Sequence, residues 1–173
     1  LKKNPGSLTF ANSGRGTSGH LSLLAIEQVT GVKGTDVAYK GAGEFKSALL
    51  GGHVDYAFAS VGEYLAAKND AVGAIAVLSQ KRFDDLGPVP TATELGVKAL
   101  VSSERGIAGP KALPDDIANR IQNAIKDTLQ DPAFIKTVKN DAAVLAYLPG
   151  AEWTQTLDGI REWLKPFVNK MKD

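Results

Sequence analysis

The stretch best equipped to hold a charged group is Ser13-Gly14-Arg15-Gly16-Thr17-Ser18-Gly19-His20. Its glycines leave backbone N–H groups uncovered and admit positive φ. Apolar residues recur at helical spacing after it, so it opens a helix, and a helix start combines partial positive charge with unpaired N–H donors. Thr17 and Ser18 add hydroxyls, and Arg15 adds a guanidinium that can grip a carboxylate with two hydrogen bonds. The chemistry assembled here is anion binding: a carboxylate, a phosphate or a sulfate. The plainer alternatives are a tight turn with no ligand and an Arg15 pointing into solvent, because such turns are common in α/β folds.

Two further loops have the same character. Tyr39-Lys40-Gly41-Ala42-Gly43 follows a predicted strand and precedes a predicted helix, and Ala59-Ser60 ends another predicted strand. In a parallel sheet all three loops lie at the carboxyl ends of their strands, where open α/β folds bind ligands. Lys40 adds charge if it faces the ligand; a solvated surface lysine is the simpler reading.

Other chemistries fit less well. A nucleotide P-loop needs a lysine that this loop lacks. Gly14, Gly16 and Gly19 match the G-x-G-x-x-G dinucleotide spacing, and Asp36 stands where an acid would complete it. That acid normally ends its strand, however, whereas Asp36 begins one. His20, in a first helical turn where positive charge is disfavoured, reads as a neutral packing or hydrogen-bonding residue. His53 sits in a glycine turn and reads as exposed. Two separated histidines and no cysteine make no metal site. Ser18 and His20 lack the setting of a nucleophile elbow. With no matched acid and base, the sequence reads as a binding protein that is not an enzyme and needs no cofactor.

The elements that must position these loops follow from periodicity. Strands are predicted at Leu8–Ala11, Asp36–Tyr39, Tyr56–Ala59 and Val72–Leu78, the last apolar throughout as if covered on both faces. Helices are predicted at Gly19–Thr30, with Thr17 or Ser18 as cap and Gly31 as stop, at Glu44–Leu50 and at Val61–Lys68. Strand and helix alternate, which gives a parallel sheet with right-handed crossovers. Leu86–Thr91 reads as an extended loop, Thr93–Gly96 as one turn at most, and Ile107–Pro110 as a short strand or connector. The remainder is helical. Pro114 opens a helix striped by Ile117, Ile121, Ile125 and Leu129. Asp131 caps another that begins at Pro132. A third covers Ala151–Lys172, with Pro166 kinking or weakening it.

The 173 residues carry a formal net charge of +1, with 43% hydrophobic and 23% charged residues. That is enough for a real core and argues against a dedicated nucleic-acid binder. No apolar run is long enough to span a bilayer. Leu1-Lys2-Lys3-Asn4-Pro5 contains no apolar signal-peptide core, as expected equally of a mature, processed or trimmed chain. The absence of cysteine fits an oxidising compartment without requiring one.

Taken in order, Asn4–Phe10, Ser13–Leu21, Val37–Gly43, Ala48–Asp55, Pro88–Thr91, Gly106–Pro110 and Leu113-Pro114 resemble the substrate-binding proteins of tripartite tricarboxylate transporters, the TctC or Bug family. The resemblance runs along essentially the whole chain. It implies a periplasmic-binding-protein-like fold of type II, in which two α/β lobes are hinged around a cleft. It also implies a periplasmic receptor in a Gram-negative bacterium that passes a small carboxylate to the membrane components of its transporter. Ser13, Gly14, Gly16, Thr17 and Ser18 match the family's helix-start loop, and Tyr39, Lys40, Gly41 and Ala42 its second loop. Ala59 and Ser60 match a strand end where many members carry Asp-Asn. Arg15 stands where members often have a small apolar residue, which implies a shifted ligand choice, and Glu104-Arg105 replaces a common aromatic pair, which implies a more polar or more highly charged ligand.

The resemblance further implies that residues 1–103 form the second lobe. Residues 104–173 would be a hinge strand and helices that pack on a first lobe not contained in these residues. Such a chain alone offers half a cleft, and its helices would fold onto the domain, pair with another copy or expose apolar surface. The effector domain of a transcription regulator shares this architecture but places a helix-turn-helix upstream. A phosphate- or nucleotide-dependent enzyme using the Gly14-Gly16-Gly19 loop is the third reading.

Overall fold

The computed structural model describes residues 4–67 and 71–171. The chain divides into two compact units, Leu1–Ser103 and Glu104–Asp173.

The first unit is built on a three-stranded parallel sheet. The central strand β1 (Thr9–Asn12) pairs with β2 (Thr35–Ala38), Thr9 opposite Thr35 through Asn12 opposite Ala38. On its other side it pairs with β3 (Tyr56–Ala57) through Phe10 and Ala11. The order β2-β1-β3 reverses direction after β2. Right-handed crossovers therefore carry α1 (Ser18–Thr30) and α2 (Ala42–Leu50) to opposite faces. Alternation along β1 serves both. Ala11, fully buried, packs with Phe45 and Ala48 of α2 and with Val54. Phe10 stacks on Tyr56 and Phe58 at ring separations of 5.4 and 5.7 Å. A Cβ at Gly34 would meet the rings of Phe10 and the side chain of Leu23, so glycine is needed where β2 approaches α1. Gly31 closes α1 with φ +68, its N–H donating to the Glu27 carbonyl, as its sequence position predicts.

Beyond α3 (Val61–Ala67) the structure departs from the sequence reading. Val72–Leu78 is not a strand. It takes part only in isolated bridges, one of them between Val77 and Thr91, and Ile75 is largely exposed. Gly73 weakens the run, and the segment it meets carries Pro88 and Pro90, which cannot donate to a ladder. Val77, Leu86 and Val89 instead form a small apolar cluster with Val61, Tyr64 and Leu65. The predicted end of α3 at Lys68 falls outside the described residues. The turn after Thr91 is a reciprocal cap. The Glu94 carboxylate accepts from the Thr91 N–H at 2.7 Å, the Thr91 hydroxyl accepts from the Glu94 N–H at 3.2 Å, and Arg82 pairs with the same carboxylate at 2.8 Å.

The second unit holds α4 (Asp115–Gln130), α5 (Pro132–Val138) and α6 (Gly150–Leu164). Pro114 stands at the start of α4, and the Asp131 carboxylate accepts from the Ala133 N–H at 2.6 Å, capping α5 as its position predicts. The helix predicted from Ala151 is interrupted at Pro166, as that residue's position predicts, and its α-helical part ends at Leu164. Around Pro166 the chain tightens to a 3₁₀ helix, Lys165–Met171, because proline removes an N–H from the α-helical ladder. Ile107–Pro110 is an exposed connector. Trp153 lies over Gly106, where no Cβ would fit, and its Nε1 donates to Glu104 at 2.8 Å. Among the described residues of this unit Phe167 is the one buried hydrophobic, while Ile117, Ile121 and Leu157 are each at least 38% exposed.

The Arg82 guanidinium, helped by the Thr91 N–H, holds the Glu94 carboxyl down to about 2 from its ordinary 4.5. A depressed carboxyl contributes stability that is complete above its unfolded pKa and is lost as pH falls through its folded one. The stability difference between the native chain and Glu94→Gln, measured by urea unfolding, should stay constant above about pH 4.5 and shrink as pH falls toward 2. Asp55, held low by the Thr9 N–H, shifts in the same sense but is common to both proteins and cancels.

Candidate functional site

Because β1, β2 and β3 run parallel, the loops that leave them share one sheet edge. Two close approaches confirm it. A Cβ on Gly14 would lie 3.5 Å from the Tyr39 carbonyl oxygen, and one on Gly19 would lie 3.2 Å from the Phe58 carbonyl oxygen and 2.8 Å from the Asn12 Cβ. The edge between β1 and β3 is the point where the strand order reverses, and a crevice opens at such points in open α/β sheets.

The glycine loop is held from beneath by a buried polar network. Asn12 is fully buried. Its side-chain oxygen accepts from the Gly14 N–H at 2.9 Å, and its Nδ2 donates to Asp36 Oδ1 at 2.5 Å. Asp36 Oδ2 lies 3.9 Å from His20 Nε2, and His20 Nδ1 accepts from the Gly16 N–H at 3.1 Å. Gly14 and Gly16 take φ of +129° and +78°, conformations that suit glycine. The loop is thereby pinned at two amides.

This arrangement corrects several assignments. The Gly14 and Gly16 amides, expected to face a ligand, are already engaged by Asn12 and His20. The Thr17 hydroxyl donates back to the Gly14 carbonyl at 2.6 Å and does not cap α1. Asp36 serves Asn12 and stands beside His20 in place of completing a dinucleotide fingerprint. His20 is buried and hydrogen-bonded, and His53 is exposed, as read from sequence. What the loop presents is the half-buried Ser13 and Ser18, the exposed Arg15, and the amides of the first α1 turn, which have no acceptor within the helix.

The other two loops are satisfied from within. The Tyr39 N–H donates to the Asn12 carbonyl at 3.0 Å. The Lys40 N–H donates to Glu44 at 3.0 Å while its side chain is exposed, and Gly41 and Ala42 begin α2. Ala59 is exposed. Ser60 and Glu63 form a capping box, with the Ser60 N–H donating to the Glu63 carboxylate at 2.7 Å and the Glu63 N–H donating to the Ser60 hydroxyl at 3.2 Å. Among α1, α2 and α3, only α1 has no acidic residue in its first turn. Sequence reasoning missed Asn12, Glu44 and Glu63. The Ser60-x-x-Glu63 spacing was the legible signal for the last, whereas nothing local marked Asn12. Arg105 lies in the second unit and is exposed. A surface depression of about 540 Å³ lies elsewhere, around the mutually neutralised Arg82 and Glu94. Among the described residues no His, Cys, Asp and Glu group could hold a metal, and no helix is long and apolar enough to cross a membrane.

Residues 1–157 match the family described as the tripartite tricarboxylate transporter family receptor. A UPF0065 protein of Agrobacterium vitis, from the intergenic region between ttuE and ttuC', is 33% identical over 99% of this chain and 49% of its own length. The chain thus spans about half the length of the curated relatives it matches. A TctC solute-binding protein from Polaromonas, solved without ligand, superimposes with a TM-score of 0.76 at 26% identity, covering 98% of this chain and 58% of that one. An R. palustris protein solved with adipate gives a TM-score of 0.64 at 25% identity, over 80% of this chain and 48% of that one.

The tight contact at Gly19 yields a paired prediction. Gly19→Ala, whose new methyl meets Asn12 and the Phe58 backbone, should lose about 1–3 kcal/mol of stability. Gly43→Ala, on α2 with open space around it, should gain about 0.5–1 kcal/mol, because alanine costs less backbone entropy. Denaturant unfolding of the two variants checks both signs.

Proposed function

The chain belongs to the tripartite tricarboxylate transporter receptor family, and from that premise we propose that it contributes one lobe of an extracytoplasmic receptor. The receptor captures a small carboxylate in the periplasm and delivers it to the membrane components of a tripartite transporter. The observation that supports this most directly is the amino terminus of α1. It is the one helix start on the sheet edge without an acid of its own, and Ser13, Ser18 and Arg15 surround it. Tyr39, Lys40, Gly41, Ala42, Ala59 and Ser60 line the neighbouring strand ends and shape the site more than they charge it. The adipate held by the R. palustris relative is a ligand of the proposed class.

In this reading residues 1–103 are the ligand-binding lobe, and the helices from Pro114 onward belong with the receptor's first lobe. Their exposed stripes at Ile117, Ile121 and Leu157 support it, since such faces need a cover. Ligand then sits between two lobes that close on it, and closure is what the transporter recognises.

Thermal unfolding with adipate, citrate and ATP, on this chain and on the chain extended at its amino terminus by the preceding lobe, tests the proposal. A ligand at about 100 times its Kd stabilises by about 2.7 kcal/mol. A carboxylate should stabilise the extended chain and leave the 173-residue chain unchanged. Native-affinity binding by the short chain alone would sink the half-cleft claim. Stabilisation by ATP with no response to either carboxylate would replace the receptor with a nucleotide enzyme.

A further inference from the structure

We infer that His20 is a positioning residue for the carboxylate loop, and that it makes the shape of that loop depend on pH. The inference rests on the carboxylate reading above for its consequence, but its geometry stands alone. His20 is 5% exposed and sits in the first turn of α1. Its Nδ1 accepts from the Gly16 N–H at 3.1 Å, so the ring proton of the neutral form is on Nε2, which faces Asp36 Oδ2 at 3.9 Å. Gly16 is the exposed tip of the loop and holds a positive φ. The bond from its amide to His20 ties that tip down onto the helix start.

Protonating His20 places a second N–H on Nδ1, directly against the Gly16 N–H. An acceptor becomes a donor, and the tie is lost. The ring itself stays in place, because Asp36 on β2 is the ionisable group set beside Nε2. β1 adds the uncharged Asn12 through the same carboxylate, and α1 has no acid in its first turn and no base in its last. Gly14 remains held by Asn12, so the loop would release at its tip and not at its base. The tip carries Arg15 and leads into Thr17 and Ser18. Releasing it unfixes the groups that the carboxylate would meet, so affinity should fall on acidification.

Two variants separate this from a merely structural role. Asparagine offers an acceptor oxygen the same number of bonds from Cα as Nδ1, and it does not titrate; leucine offers none. In ¹H–¹⁵N spectra followed as His20 is protonated, the Gly16 amide of the native chain should move together with the His20 ring nitrogens. In His20→Asn it should stay still. For the extended chain at neutral pH, His20→Asn should keep adipate affinity close to native, while His20→Leu should weaken it about tenfold, the effect of one lost hydrogen bond. A Gly16 amide that ignores the His20 titration overturns the tie whatever the ligand does, and this measurement needs no variant to fold. Native adipate affinity in His20→Leu overturns the positioning role. Failure of adipate and citrate to bind even the native extended chain removes the carboxylate reading and this role with it, and the spectra distinguish that failure from failure of the tie.

Discussion

A fully buried amide side chain in the central strand constrains everything around it. Asn12 would be expensive to bury without partners, and it is satisfied on both sides: its oxygen accepts from the Gly14 N–H, and its Nδ2 donates to Asp36 Oδ1. Both partners exist in one strand register only. Moving β1 by one residue would turn Asn12 toward the apolar face that Phe45 and Ala48 fill, and would put Ala11 where the polar network is. The hydrogen bonds that shape the glycine loop are therefore the same ones that fix how β1 lies against β2. Site and sheet are specified together, which explains why a loop rich in glycine holds a defined shape.

The two units differ in how they are held. In the first, Ala11, Phe45, Ala48 and Val54 close a core on one face of the sheet, and Leu23, Leu24 and Ala25 are buried along α1. In the second, α4 has a well-formed apolar stripe, yet Ile117 and Ile121 on it remain more than a third exposed. Helices gain most of their stability from packing an amphipathic face, so a stripe of this kind is an unfinished interaction. Local devices do hold parts of the unit: the Asp131 cap at the start of α5 and the Trp153 ring seated over Gly106 with Nε1 on Glu104.

Sequence alone was enough for the elements whose signals are local. The three strands of the sheet appear within one or two residues of their apolar runs. Gly31, Pro114 and Asp131 punctuate the helices where glycine, proline and aspartate should. The failures share a physical cause. Val72–Leu78 is apolar enough for a buried strand, but a strand needs a partner with N–H groups to give, and Pro88 and Pro90 withhold two. The helix after Ala151 weakens at Pro166 as its position predicts, and only the 3₁₀ form of the last turns goes beyond what the period could say. The engagement of the Gly14 and Gly16 amides was invisible because it depends on Asn12, Asp36 and His20 meeting across two strands and a helix. A glycine-rich loop reads as a set of free donors until the tertiary structure shows which are spent.

That distinction bears on the kind of anion the edge can take. Three helices start there, and three uncompensated helix dipoles with their free amides would suit a polyphosphate. Two of those starts are already answered, since Glu44 accepts from the Lys40 amide and Glu63 from the Ser60 amide. Each brings a full negative charge to the edge, where a second anionic group on the same ligand would meet it. What remains is one helix start with the exposed Arg15 and Lys40 at the edge, and in the reading proposed above one carboxylate end of the ligand is taken at α1 while a second would point away from Glu44 and Glu63. A nucleotide's further phosphates would find no second acid-free helix start among α1, α2 and α3. The positions of those two glutamates therefore weigh against the nucleotide reading more than the missing P-loop lysine does, because a lysine can be supplied from elsewhere in a fold while a carboxylate bonded into a helix cap cannot easily be moved away.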